Sequence, residues 1–244
     1  MSILLIPSKA DPERDAVALA WQQSQGEVLR LDRFWDPPEV DRRLVRLYGP
    51  DTFCLVTAQK LRLELLSPPD DLLLHVDTAF LKRNIRGLAL RQLRSENFPL
   101  FVKSIVPKIF RSRVYESWTD LEDECRGLEP DTVVLASEVV TIRAEARAFV
   151  LQGQVQTCAL YEGEGLAPWD FLQQVASGCQ LPTTCVLDAA LLDGGWALLE
   201  ANASWGAGLN GCSPEGVLGC LELATQIAGE FPDSGVPPHS DHPH

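Results

Sequence analysis

Asp188, Glu200 and Asn202 are the residues of this chain whose types and spacing most directly suggest chemistry. They lie in the stretch TTCVLDAALLDGGWALLEAN, residues 183–202, where two apolar runs flank Asp193-Gly194-Gly195. Apolar strands around such a short glycine-containing loop read as a β-hairpin. With those three residues as the loop, Leu192 faces Trp196, and counting back sets Asp188 opposite Glu200. Cross-strand partners share a face, and Asn202 joins it two residues further on. A two-residue loop would turn Glu200 to the other face, so the register is a test of the reading. Two carboxylates on one ribbon repel each other unless something positive lies between them. Two acids and a carboxamide supply hard oxygen ligands, and these suit Mg²⁺, which takes one or two carboxylates together with substrate phosphates.

Cations are concentrated in another part of the chain. Lys103 ends the apolar run FPLFVK, and Lys108, Arg111 and Arg113 follow, giving four cations within eleven residues of an acidic protein. That concentration suits a polyphosphate; the plainer alternative is that they balance neighbouring acids. Lys82, Arg83, Arg86, Arg91 and Arg94 fall in or beside a stretch, residues 77–93, that reads as helix, where each is by default a solvated charge. Glu145 and Arg147 alternate with alanines and so share one face of a strand, ordinary surface charge unless the acid-bearing ribbon lies beside them.

The totals bound the function. The chain has 244 residues, 45% hydrophobic and 23% charged, values of an ordinary globular protein. A net charge of −13 removes the electrostatic case for nucleic acid or an anionic membrane as partner. The apolar runs are too short to span a bilayer, and the N-terminus has no basic segment leading into an apolar one. Seven cysteines without a C-x-x-C pair suggest reduced thiols, hence a cytoplasmic protein. His75 is the one histidine outside the last residues, so no Ser/His/Asp or Cys/His arrangement is offered.

The elements that must position these residues can be sketched from periodicity. Residues 3–6 read as a strand, Asp11-Pro12 opens a helix closed by Gly26, 28–31 a strand, 39–47 a helix and 52–57 a strand. This is a small α/β layer whose glycines form no G-x-G-x-x-G phosphate loop. Ser67 to Asp71 is a turn and a seam. Thr119-Asp120-Leu121-Glu122 is a capping box whose helix Gly127 closes. Residues 132–140 read as a strand, 144–151 and 155–161 as a hairpin about Gln152-Gly153, and Pro168 to Ser177 as a helix. WGAGLNG, residues 205–211, is a loop whose backbone can approach a ligand closely. Ser213-Pro214 starts a last helix carrying Val217, Leu218, Leu221, Ala224 and Ala228, and residues 232–244 read as a disordered tail.

In order and spacing, FVKS at 101–104, SEVV at 137–140, EAR at 145–147, and Asp188 with LLEAN at 198–202 resemble the ATP-grasp superfamily. The likeness is nearest to the small clade named for one arginine and two lysines. It covers roughly residues 81–211. The resemblance implies an α+β fold: an N-terminal α/β subdomain (1–70), then a region (71–231) of two α+β subdomains holding ATP between them. It also implies roles. Lys103 would contact the α- and β-phosphates, Glu138 and Val140 lie in the segment that meets adenine, and Glu145 would hold the ribose hydroxyls. Asp188, Glu200 and Asn202 match the Mg²⁺ set. Arg83 and Lys108 stand for the clade's arginine and second lysine, with Arg147 also placed to face the transferred phosphate or a substrate carboxylate. Ser104 replaces a frequent proline. More consequentially, no glycine occurs between Gly87 and Gly127, so the family's glycine-rich lid is missing unless Lys108, Arg111 and Arg113 substitute by charge. The implied activity is an ATP- and Mg²⁺-dependent ligase joining a carboxylate to an amine or thiol through an acylphosphate, on a small-molecule, peptide or protein acid. The alternatives are a degenerate ATP-binding regulatory module and a plain interaction domain.

Overall fold

The computed structural model describes residues 1–106 and 109–229. Lys108 and the tail, with its three histidines, lie outside the described residues. The first layer runs β1 (Ile3–Pro7), α1 (Pro12–Gln23), β2 (Glu27–Leu31), β3 (Val45–Leu47), α2 (Asp51–Leu61) and β4 (Leu63–Leu65). Three of these strands form a parallel sheet in the order β2-β1-β3. Leu4, Leu5 and Ile6 are wholly buried, which is why central β1 is a continuous apolar run rather than an alternating one. Asp11 caps α1 by accepting the Arg14 N–H, and Pro12 follows, where a missing N–H costs nothing.

Two expectations in this layer fail. Residues 39–47 do not form a helix: a 3₁₀ turn at Arg42–Leu44 leads directly into β3. Residues 52–57 do not form a strand but lie in α2. Phe53, Cys54, Thr57 and Ala58 are buried at a helical spacing, and Pro50 with Asp51 starts the first turn. The β-branched, apolar look of TFCLVT is overridden by the need to cover the sheet.

The second unit comprises α3 (Thr78–Leu81), β5 (Ile85–Ala89), β6 (Leu100–Ser104), β7 (Arg113–Tyr115), α4 (Trp118–Glu124) and β8 (Val133–Ser137). Its strands pair antiparallel in the order β5-β8-β6-β7 around Leu100, Val102, Tyr115, Leu121 and Val134. The helix expected over residues 77–93 ends after one turn, at Lys82 with φ 51°. The residues that follow pair with β8 instead, from Ile85 opposite Ser137 to Ala89 opposite Val133. The cap of α4 is Ser117, two residues before the expected Thr119.

The third unit holds β9 (Ala144–Leu151), β10 (Gln154–Glu162), α5 (Trp169–Gly178), β11 (Thr184–Leu192) and β12 (Gly195–Asn202), with sheet order β10-β9-β11-β12. Leu172 and Val175 of α5 pack on Ala148, Val150, Leu187 and Leu198. The chain then returns to the first layer. Trp205 and Ala224 join the core of Leu5, Leu47 and Phe53; α6 (Leu218–Leu223) packs on α1; and β13 (Thr225–Ile227) pairs with β4. The last helix is therefore shorter than its apolar stripe implies, with Ala224 as its C-cap.

The hairpin that carries the acids is where register matters. Leu192 pairs with Gly195, so the loop is Asp193-Gly194, one residue shorter than expected. A regular ladder from that turn would set Glu200 opposite Leu187. Instead the register shifts by one residue after Leu198, and Asp188 pairs with Glu200 and Val186 with Asn202. A β-bulge inserts one residue and restores the face that the shorter turn would have lost.

Candidate functional site

On the other side of the β10-β9-β11-β12 sheet from α5, Arg147 lies opposite Asp188, which in turn lies opposite Glu200. Arg147 grips Asp188 with two parallel bonds, Nε to Oδ1 at 2.8 Å and Nη2 to Oδ2 at 2.7 Å. Its Nη1 donates to the carbonyl of Gly208 at 2.8 Å. The Asn202 amide nitrogen donates to Asp188 Oδ2 and to Glu200 Oε1, both at 2.9 Å. From the facing sheet, Lys103 Nζ reaches Glu200 Oε2 at 3.4 Å. Opposed acids thus meet a guanidinium, an amide and an ammonium.

The electrostatics follow from depth. Asp188 and Arg147 side chains are 4% and 12% exposed. Burial pushes Asp188 above its ordinary value, Arg147 pulls it back, and the Glu200 charge adds to the rise. Burial also works against the charge on Arg147, but the bonds to Asp188 outweigh it and hold the guanidinium above its usual range. The two parallel bonds are those of a bidentate guanidinium–carboxylate contact. Burial raises the Tyr161 phenol too, helped by its bond to Glu145, so its hydroxyl remains a donor to Glu145 Oε2 at 2.7 Å.

A cavity of about 270 Å³ opens between the two sheets. Its walls are mixed: Leu73, Phe101, Leu135 and Ile142 are apolar, while Arg83, Lys103, Asp188 and Glu200 bring charge. Glu138 and Val140 line it, and Glu145 with Tyr161 forms part of its wall. The Glu138 carboxylate accepts the Asn84 N–H at 2.8 Å, and the Ser137 hydroxyl donates to the Glu138 carbonyl at 3.1 Å. Apolar walls with a few convergent charged groups suit a small organic ligand that has a charged part.

Most of the residues expected at the site therefore meet: Lys103, Glu138, Val140, Glu145, Asp188 and Glu200 line one cavity, and Asn202 links the two acids. Arg147 is engaged by Asp188 and Gly208. Arg83 lines the cavity, but its guanidinium donates to the carbonyls of Leu81, Leu198 and Leu199. Burial lowers it from the usual guanidinium value, with Glu138 opposing. Arg113 is turned away, doubly bonded to Asp120 at 2.9 and 2.7 Å with its carbon 4.1 Å from the centre of the Tyr115 ring. Arg111 leans toward Glu124 at 3.9 Å. These two arginines balance acids of α4, so the expected charged substitute for a lid is not found in them. Sequence reasoning missed Glu13, whose two oxygens accept the N–H groups of Leu209 and Asn210 at 2.8 and 2.9 Å. No local signal marks a residue in α1 as a partner of a loop 196 residues away.

Whether the donor set fits a divalent cation can be judged from its chemistry. Among the described residues no group of three or more His, Cys, Asp or Glu is arranged to hold a metal. Two carboxylates joined by one amide are present, and they carry a residual repulsion that a cation would relieve. Turning the Asn202 amide over would offer oxygen where nitrogen now points. The set fits Mg²⁺ in its usual manner, with the remaining ligands from phosphate and water.

An antiparallel sheet facing a second sheet across a slot, with paired acids in its lining, is the layout of a nucleotide-clasping fold. Residues 80–220 match the family model of the ATP-grasp domain, family 2 of the clade named for one arginine and two lysines, and the chain belongs to that family. Among solved structures it is similar to a RimK domain protein ATP-grasp from Sphaerobacter thermophilus, with a TM-score of 0.58 at 15% identity, over 91% of this chain and 98% of that one. It also aligns with the ATP-grasp ligase PsnB complexed with minimal precursor, at TM-score 0.49 and 16% identity over 86% and 93% of the two chains. The macrocyclase MdnC bound with precursor peptide MdnA, from Microcystis aeruginosa, gives 0.48 at 12% identity over 82% and 90%. At such identities the likeness is one of fold. Comparison with curated protein sequences gives no significant match.

Proposed function

We propose that the protein is an ATP- and Mg²⁺-dependent ligase that activates a carboxylate as its acylphosphate and joins it to an amine or thiol. The observation that carries this reading is the meeting of Asp188, Glu200 and Asn202 with Lys103 beside a slot that also has apolar walls. The base lies in the slot beside Glu138 and Val140. Glu145 takes the ribose hydroxyls in exchange for the Tyr161 hydroxyl. Lys103 leaves Glu200 for phosphate oxygens, a small change because that ion pair is long and half exposed. Bound at Asp188, Glu200 and Asn202, Mg²⁺ would neutralise phosphate charge and keep the acids from repelling the nucleotide.

The substrate carboxylate attacks the γ-phosphorus and ADP leaves; the amine or thiol then attacks the acyl carbon and phosphate leaves. Both partners of the first step are anions, so its barrier is electrostatic and is lowered by positioned cations. Arg147 holds Asp188 in place with two bonds and favours its charged form. Replacing Glu200 by Gln is expected to cut ATP-dependent phosphate release by ~100-fold or more, the scale of losing one electrostatic stabiliser. Phosphate release at the unmodified rate in Glu200→Gln, across small acids and peptide carboxylates with amines, would sink the assignment. A second reading, an ATP-binding module without turnover, is favoured by the glycine-free segment 88–126 and by the engagement of Arg111 and Arg113 with α4. Nucleotide binding with no phosphate release for any acceptor would select it.

A further inference from the structure

Glu200 reaches Asp188 only because β12 contains one residue more than a regular ladder from the Asp193-Gly194 turn would need. Without the bulge, Glu200 would lie opposite Leu187, on the face packed beneath α5, and Asn202 would follow it there. The hydrophobic pattern disfavours that arrangement but does not say where along β12 the extra residue is absorbed. A bulge placed beyond Glu200 would also bury it.

Arg83 is attached at that point. Its Nη1 donates to the Leu198 carbonyl at 2.7 Å and its Nη2 to the Leu199 carbonyl at 3.3 Å. Nη1 also donates to the Leu81 carbonyl at 3.1 Å, which anchors the guanidinium to the end of α3. In a regular strand successive carbonyls point to opposite edges. One planar fork that meets two successive carbonyls therefore binds the irregular conformation in preference to the straight one, and stabilises it by that difference. β12 is the edge of its sheet, so its outer carbonyls are open to this contact.

We propose that Arg83 is a positioning residue: it latches the bulge at Leu198–Leu199 and so determines the face on which Glu200 and Asn202 emerge. The consequence for Mg²⁺ rests on the ligase reading above; the consequence for register does not. Two readouts separate them. Through-space proton contacts between residues 188 and 200, followed by NMR without nucleotide, report the register. The extra thermal stabilisation that Mg²⁺ adds to ATP reports the metal set.

In Arg83→Met the contact between 188 and 200 is expected to weaken or disappear, and Mg²⁺-dependent ATP affinity to fall by ~10-fold or more, as for loss of an outer partner of a metal site. Deleting Leu199 removes the extra residue, so a regular ladder from the same turn places Glu200 opposite Asp188 with no bulge to hold. Arg83→Met combined with that deletion is therefore expected to regain both the 188–200 contact and the Mg²⁺ increment, which a merely destabilised protein would not. Retention of contact and increment in Arg83→Met overturns the latch. So does a combined variant with the contact restored but nucleotide binding still weak, which would place Arg83 on the ligand. If Arg83→Met does not fold, recovery of a folded protein on deleting Leu199 supports the latch and failure to recover overturns it. If the unaltered protein itself gives no Mg²⁺ increment, the ligase reading fails while the proton contacts still decide the role of Arg83.

Discussion

Two ion pairs a few ångströms apart in this site do different work because their surroundings differ. Arg147 and Asp188 are nearly excluded from water, doubly bonded and backed by the Gly208 carbonyl. Removing one partner strands the other, at a cost of ~3–5 kcal/mol for a buried pair. Arg147→Met is accordingly expected to lower the urea midpoint sharply, and an unchanged midpoint would show Asp188 to be satisfied without it. Lys103 and Glu200, at 3.4 Å with side chains 36% and 42% exposed, form a pair worth at most ~1 kcal/mol. Lys103→Ala should leave the same midpoint nearly in place while weakening ATP binding measured by calorimetry; equal ATP affinity in that variant would remove Lys103 from the phosphate site. At this scale the sequence is informative about residue type and face. It is silent on what each side chain holds: Arg83 meets carbonyls 115 and 116 residues away.

At the scale of elements, the glycine-rich loop after β12 is held from both sides. Arg147 takes the Gly208 carbonyl, while Glu13, in the first turn of α1, takes the next two N–H groups. Hydrogen bonds to a charged acceptor contribute ~1.5–3 kcal/mol each, so Glu13→Ala should raise hydrogen exchange at the Leu209 and Asn210 amides by ~10-fold or more. Exchange at those two amides unchanged from the parent would mean that the loop holds its shape unaided. The elements also divide by how legible they are. The hairpins of β9 with β10 and β11 with β12 follow from alternation and glycine-containing turns, signals carried entirely within about twenty residues. Residues 52–57 mislead because a short apolar run has no period long enough to separate helix from strand, and within 77–93 the segment at issue is the five residues of β5. Their neighbours, the first sheet for α2 and β8 for β5, settle the matter.

For the whole molecule, the last described segment returns to close the first layer, so Trp205 and Ala224 belong to the same core as Leu5 and Phe53. Among the described residues no helix is long and apolar enough to cross a membrane. The seven cysteines are free thiols, several deep in the cores. Burial pushes Cys125, Cys212 and Cys220 up to about 11, and Cys158 and Cys185 to about 12. In the unfolded chain a thiol loses its proton near ~8.5. The unfolded state therefore binds fewer protons above that pH, and stability falls as pH rises. Their contribution is complete below pH ~8.5 and is lost as pH climbs toward 11–12. The urea midpoint should drop steeply between about pH 8 and pH 10.5, with thiolate absorbance rising in step with unfolding; a flat midpoint over that range would contradict thiols buried in this way.

The sequence by itself determined which residues could share a face, because alternation along a strand is local and any one-residue error reverses every side chain. It thereby brought Asp188, Glu200 and Asn202 together in anticipation, although by way of a turn one residue too long. Only the tertiary structure decided how that face was kept. The compensating bulge, the arginine lying against its carbonyls, and the guanidinium that neutralises Asp188 all depend on contacts between distant segments, whose energies no local pattern records.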